Sequence, residues 1–359
     1  MSMHFIIALI SGFLGFIIPI AAYKNFSSAI TPFNSSNKNH LLFMLSLILT
    51  PFIICSVNYF LCFDGRDFIS SFNFMELSIP FICATLLFLT SEYKQTSKFF
   101  ILFLFLSSLA ASFSIPDDSI ARIIPLPVFY NKLILITSWF TFSYFYRYIN
   151  SGSVLGIQSV AISLGIAILA MIGAIPFFLG LAGLVITTAS IALSITTWPP
   201  AKRYISENNA TCIGFIIFAL MAWTATEEAT SCALIFAMLF IMDILWAIFL
   251  RITFLEQYAN IKDNTSYKYI ISCGFSPRLA SSFLVRGQIL IIILGCFQAY
   301  SEQQYSLLLF STFVAIWFLN KLRNLNLETT PINVDKEVIN DIQDRINDLK
   351  QYVKEKEDD

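Results

Sequence analysis

Ionisable side chains are scarce in this 359-residue sequence, at 13% of positions, and those that interrupt its apolar runs are where chemistry could reside. A charge inside an apolar helix costs a few kcal/mol unless it faces a partner or a cavity, so it marks a site. Asp243 stands out, set in Phe-Ile-Met-Asp-Ile-Leu-Trp-Ala-Ile-Phe-Leu-Arg-Ile with Arg251 eight residues on. Its carboxylate could serve a polar cleft or pair with a basic or hydroxyl group of a neighbouring helix. Glu76, Lys132 and Arg286 lie near the ends of apolar runs, where snorkelling carries their charge to the interface. Asp117-Asp118 reads as a turn with helix-capping acids. The seven cysteines are scattered without CxxC spacing and read as apolar packers. His4 and His40 are too few for a histidine metal site, and a net charge of −1 points to no nucleic acid or other polyanionic partner.

The elements that must position these residues are helices in lipid. A composition of 57% hydrophobic residues with a mean hydropathy of +0.73 does not describe a soluble domain. In hydrocarbon every backbone N–H and C=O must be satisfied within the protein, which leaves a helical bundle or a closed barrel. The apolar runs lack the alternation of barrel strands. The expectation is therefore an all-α, polytopic membrane helix bundle of about eleven transmembrane helices plus a C-terminal cytoplasmic amphipathic helix. Runs of roughly 17 to 23 residues can cross the hydrocarbon core. They fall near 4–23, 41–63, 73–91, 98–114, 129–148, 154–172, 175–195, 211–226, 231–252, 279–299 and 304–320. Only a Gly173-Ala174 turn separates the sixth from the seventh. The first run follows no basic segment and ends at no small-residue cleavage site, so it reads as a retained helix.

Lys and Arg divide twelve against three between alternate connections. The positive-inside rule then places the N-terminus outside and the C-terminus in the cytoplasm of a multi-pass integral membrane protein, with a bacterial inner membrane as the expected location.

The most specific string lies in the connection after the seventh run: Thr197-Trp-Pro-Pro-Ala-Lys-Arg-Tyr-Ile-Ser-Glu-Asn-Asn-Ala-Thr-Cys-Ile-Gly-Phe215. Two prolines force the chain out of the helix and leave the following backbone free to face a ligand. The string resembles WPPAKIFMGDxGSxFLG of the polyprenyl-phosphate N-acetylhexosamine-1-phosphate transferases. Trp198, Pro199, Pro200, Ala201, Lys202 and Gly214 match, while the family's GD becomes Ser206-Glu207 and its GS becomes Asn209-Ala210. The other family strings find weaker counterparts in order. DxPNxRSSH meets Thr31-Pro-Phe-Asn-Ser-Ser-Asn-Lys-Asn-His40, and FLDD meets Phe88-Leu-Thr-Ser-Glu92. NxxNxxDGxDG keeps only Asn150 and Gly152. The family's intramembrane Asp falls on Asp243, HRSH on Asp263-Asn-Thr-Ser266 without a histidine, and the GWSH-like turn on Gly274-Phe-Ser-Pro-Arg278. The resemblance covers roughly residues 5 to 300.

Such a resemblance implies transfer of a sugar 1-phosphate from a UDP-sugar to a polyprenyl phosphate at the cytoplasmic face, with Mg²⁺. Carboxylate-bound Mg²⁺ and basic side chains would neutralise the phosphates. It implies Asp243, Glu207 and Glu92 as catalytic acids, with Asp243 and Glu207 holding the metal. Lys202, Arg203, Lys38, Asn34, Asn150 and Trp198 would bind substrate. Most of the family's acids and its histidines are nevertheless missing. Two readings follow: a divergent transferase with a rebuilt metal site, or a degenerate member that binds a lipid phosphate or partners an active enzyme.

The sequence divides into a transmembrane domain over 1–322, a linker over 323–331 and a C-terminal helix over 332–359. In the last, Ile332, Ile339, Ile346 and Val353 with Asp335, Ile342 and Leu349 form an a/d seam over three heptads, fit for a homodimer, a partner chain or the bundle itself.

Overall fold

A computed structural model describes residues 2–27, 46, 49–50, 52–54, 74–93, 97–117, 126–149, 152–199, 205–253, 265–272, 274–301 and 306–323, and every regular element among them is a helix. In chain order these are α1 Ser2–Ser27, α2 Phe74–Tyr93, α3 Ser97–Ser114, α4 Val128–Tyr146, α5 Gly152–Met171, α6 Phe177–Thr197, α7 Glu207–Thr224, α8 Thr230–Thr253, α9 Ser266–Ser272, α10 Pro277–Gln298 and α11 Ser306–Arg323. A helix stands at each expected run except 41–63, most of which lies outside the described residues, as does the heptad segment 332–359.

Five stretches are long and apolar enough to cross a membrane: Ser153–Met171, Phe177–Thr197, Glu207–Thr253, Pro277–Gln298 and Ser306–Arg323. The described residues are thus all-helical, and the chain is suited to a membrane. The stretch Glu207–Thr253 has 47 residues, and a straight helix of that length would reach about 70 Å, more than twice the hydrocarbon core. It folds back on itself instead. A π-helical turn at Ala225–Ala229 contains non-helical Glu227 (φ −90°, ψ 26°) and Glu228 at φ 65°. Beyond it α8 returns beside α7, so that Phe218 and Phe240 both meet Phe142, with ring centroids 5.4 and 5.1 Å apart.

The tightest helix pair is α5 with α6. Gly173, at φ +80°, closes α5: its N–H donates to the Ala170 carbonyl (3.1 Å) and that of Ala174 to the Leu169 carbonyl (2.9 Å). This paired closure lets the chain reverse within a few residues. Small side chains then allow close backbone approach, as between TM helices generally; a Cβ on Gly183 would lie 2.8 Å from the Ser163 carbonyl oxygen. α5 also touches α7, α8 and α10, while α1 packs on α6, α2 and α4 pack on α7, and α3 packs on α2 and α4. An aromatic seam of Trp139, Phe142, Tyr146, Phe215, Phe218 and Phe240 joins α4 to the α7–α8 hairpin.

Lys132 is more than a snorkelling side chain. It is 9% exposed, and its Nζ donates to the carbonyls of Ser112 (3.0 Å) and Ile115 (2.6 Å) while pairing with Asp117 Oδ1 at 3.0 Å. Three ammonium hydrogens thus meet three acceptors. Two of these are carbonyls at the C-terminal end of α3, so Asp117 serves this ammonium and the lysine closes the helix.

Candidate functional site

The C-terminal ends of α2, α4, α6, α8 and α11 meet the N-terminal ends of α5, α7 and α10, together with α9, at one end of the bundle. Among the described side chains this end carries Arg147, Arg251, Lys268, Arg278, Lys321 and Arg323 against two carboxylates, Glu207 and Asp243. The opposite end carries Asp117, Glu227 and Glu228 against Lys132. An excess of fixed cations favours an anionic ligand at the first end.

Local rules place each residue here. Ser206 is extended (φ −64°, ψ 150°) and its side chain accepts from the Asn209 N–H, capping α7. Glu207 therefore falls in the first turn of α7, where the helix dipole favours an anion. Arg147 closes α4 and donates from Nη2 to Glu207 Oε2 at 2.8 Å, with its guanidinium over the Tyr144 ring. Ser91, one residue before Glu92, donates to Asn209 Oδ1 at 3.1 Å, which docks the end of α2 on the same turn.

Gly214, one turn further along α7, faces Tyr146; a Cβ there would lie 2.5 Å from the tyrosine Cβ. The glycine that matches the transferase string therefore has a packing reason to be glycine. Trp198, half-buried, ends α6 in an extended conformation (φ −63°, ψ 135°). The Pro199 carbonyl after it accepts from Arg278 Nε at 3.0 Å. Arg278 itself is placed by Ser276, which caps α10 through the Leu279 N–H, by Pro277 in the first turn, and by Gly274 at φ +92°. The described residues of four of the strings that carry the resemblance, 88–91, 144–149, 197–199 with 205–215, and 274–278, thus meet at one end.

Asp243 is 8% exposed on α8. Its Oδ1 accepts from the backbone N–H of Ser266 (2.9 Å) and from its hydroxyl (2.6 Å), holding the start of α9. Arg323, at the end of α11, donates from Nε to the same hydroxyl oxygen at 3.0 Å. Its guanidinium lies between the rings of Tyr269 and Trp246, 5.3 and 5.9 Å from their centroids. One carboxylate and one hydroxyl therefore join three elements.

Asp243 also lines a cavity of about 20 Å³ with Tyr148, Gln158, Thr265 and Lys268. Glu207 is not in that wall. Among the described residues no cluster of three His, Cys, Asp or Glu side chains is present. The two expected metal ligands are held separately, Glu207 by a guanidinium and Asp243 by a serine. An Mg²⁺ ion needs near-octahedral oxygen ligation with its carboxylates free to turn toward it. This donor set, as it stands, does not fit that ion.

Of the remaining expected residues, Lys202, Arg203, Lys38, Asn34 and Asn150 lie outside the described residues, and Glu92 lies in α2 with its side chain undescribed. Sequence reasoning passed over Arg147, Gln158, Ser266 and Arg323 as site residues. Only the Ser206 cap had a local signal, a serine directly ahead of the acidic first turn of a helix.

The fold and the site define an all-helical, membrane-suited bundle with one cation-rich, polar end. Comparison with known proteins finds no matching family model and no matching curated sequence.

Proposed function

We propose that this chain is a divergent relative of the polyprenyl-phosphate N-acetylhexosamine-1-phosphate transferases that binds a polyprenyl phosphate at its cation-rich end without Mg²⁺-dependent transfer. One observation carries the choice between binder and enzyme. Each of the two described carboxylates at that end already has a protein partner, Arg147 for Glu207 and Ser266 for Asp243. A phosphate needs no carboxylate; it needs cations and N–H donors, which this end has in excess. The meeting of four motif-like strings at the same end supports the kinship. In this reading the cation-rich end faces the cytoplasm of a bacterial inner membrane, with the N-terminus outside. The 332–359 seam pairs the chain with a second copy or with an active enzyme.

The test uses purified full-length protein in detergent with a short polyprenyl phosphate, the matching neutral polyprenol and a panel of UDP-N-acetylhexosamines with Mg²⁺. Salt-sensitive binding of the phosphate and not the alcohol, with no UMP release, is the expected result. Equal retention of both lipids sinks the proposal. UMP release that disappears in Asp243→Asn replaces the binder with a transferase whose metal site is rebuilt on ligand binding.

A further inference from the structure

We infer that the segment 332–359 docks through an acidic face on the chain's own cation-rich end, where it competes with an anionic ligand. The competition rests on the lipid-binding reading, and the docking does not. The segment lies outside the described residues, and what it brings is its sequence. Beside the a/d seam its acids keep a second register. Glu337, Asp341, Asp344, Asp348, Glu355 and Asp358 follow one another at spacings of 4, 3, 4, 7 and 3 residues, the c and f positions of the same heptads. Residues three and four apart share a helix face, so a helix here carries an apolar stripe on one side and an acidic stripe on the other. The c and f positions point away from a coiled-coil partner, and pairing through the seam leaves the acidic stripe outward. Over 332–359 nine Asp and Glu stand against five Lys and Arg, a net charge of −4. Like charges along one face repel one another, and an opposing cationic surface relieves them.

The rest of the chain supplies that surface. The whole sequence carries −1, so residues 1–331 carry +3. Among the described side chains six cations meet two carboxylates at one end of the bundle, and Arg251, Arg278 and Lys321 are exposed there. The two carboxylates are engaged by Arg147 and Ser266. Arg323, the last residue of α11, lies between Trp246 and Tyr269 at this same end, so the segment is rooted on the surface it covers. Eight residues, 324–331, separate Arg323 from Ile332. Fully extended, they span at most about 28 Å. A tether of this kind holds the stripe at an effective concentration on the order of millimolar, which offsets the weakness of each exposed ion pair. Anionic lipid headgroups repel the same acids, so the bundle's cations and not the membrane surface hold the stripe. A phosphate then reaches only the undocked fraction of molecules, and its apparent affinity falls by that fraction.

Zero-length carbodiimide coupling of the purified full-length chain in detergent reads the docking without any lipid. Amide links from Lys268 or Lys321 to acids of the stripe, mapped by mass spectrometry, are the expected result. About 0.5 M sodium chloride should abolish them, because exposed charges are screened. In a triple variant carrying Asp341→Asn, Asp344→Asn and Asp348→Asn, the links from Glu355 and Asp358 should fall severalfold. No link between either lysine and the stripe overturns the docking. Links that persist at that salt overturn the acidic face as the contact. In a mixture of unlabelled and isotope-labelled chains, links that join the two kinds overturn docking within one chain in favour of a second copy's segment.

The competition is read with a short polyprenyl phosphate at low salt. The triple variant should bind it severalfold more tightly than the wild type, and equal affinity overturns the competition. If neither protein retains the phosphate, the lipid-binding reading fails, while the cross-links still uphold or overturn the docking.

Discussion

Replacing Asp243 separates a structural acceptor from a metal ligand. Asp243→Ala removes both hydrogen bonds that hold Ser266, at 2.9 and 2.6 Å, and leaves the first turn of α9 without its cap. Hydrogen bonds to a charged group contribute about 1.5–3 kcal/mol each, and loss of a helix cap costs about 1 kcal/mol, the two descriptions overlapping here. A loss of about 3 kcal/mol is expected. At roughly 2 °C per kcal/mol for a chain of this size, the thermal midpoint should fall by about 6 °C. An asparagine in the same place would still present an Oδ1 acceptor, and Asn caps helices about as well as Asp. Asp243→Asn should therefore stay within about 2 °C of the wild type by the same conversion. The assay is thermal unfolding of the full chain in a single detergent, with Mg²⁺ or with chelator. If Asn is as damaging as Ala, or if Mg²⁺ raises the wild-type midpoint and the Asn variant loses that rise, the latch is refuted and a metal ligand takes its place.

Two further outcomes follow from packing and polarity. Lys132→Met leaves the Ser112 and Ile115 carbonyls without their donor and should cost about 3 kcal/mol. Asp117→Asn should cost under about 1 kcal/mol, because the Asp117 side chain is 57% exposed; equal losses in denaturation would show that the ion pair and not the helix closure matters. Gly214→Ala should lower the midpoint through overpacking of about 1–3 kcal/mol against Tyr146, and an unchanged midpoint would mean that α4 and α7 separate without cost.

The helices were legible because membrane segments are chosen by length and hydropathy, both of which are local. The Gly173-Ala174 reversal was legible for the same reason, since glycine sets backbone angles wherever it stands, while the Gly274-Phe-Ser-Pro turn was read from the family resemblance. The partners of the charged groups were not. Asp243 meets a serine 23 residues away, Glu207 an arginine 60 away and Pro199 an arginine 79 away. Nothing local distinguishes a carboxylate awaiting a metal from one awaiting a serine. Lys132 shows the same limit in reverse. Its place near the end of a run invites snorkelling, and only the packing of α3 against α4 brings three acceptors to its ammonium.

The α5–α6 hairpin bears on how the protein is made. From Gly152 to Thr197 the chain carries no Asp, Glu, Lys or Arg, and its reversal takes only the few residues around Gly173. No charge has to be carried across the bilayer for this pair to enter, so the two helices can be inserted together. α1 depends on them. Gly12 and Gly15 seat α1 against Leu184, Val185 and Thr188 of α6. The flank of α1 that carries these glycines therefore meets α6 only after most of α6 has been synthesised, with α2 to α5 made in between. During that interval the glycine flank waits for its partner, and the fold closes by bringing α1 back to a helix made well after it.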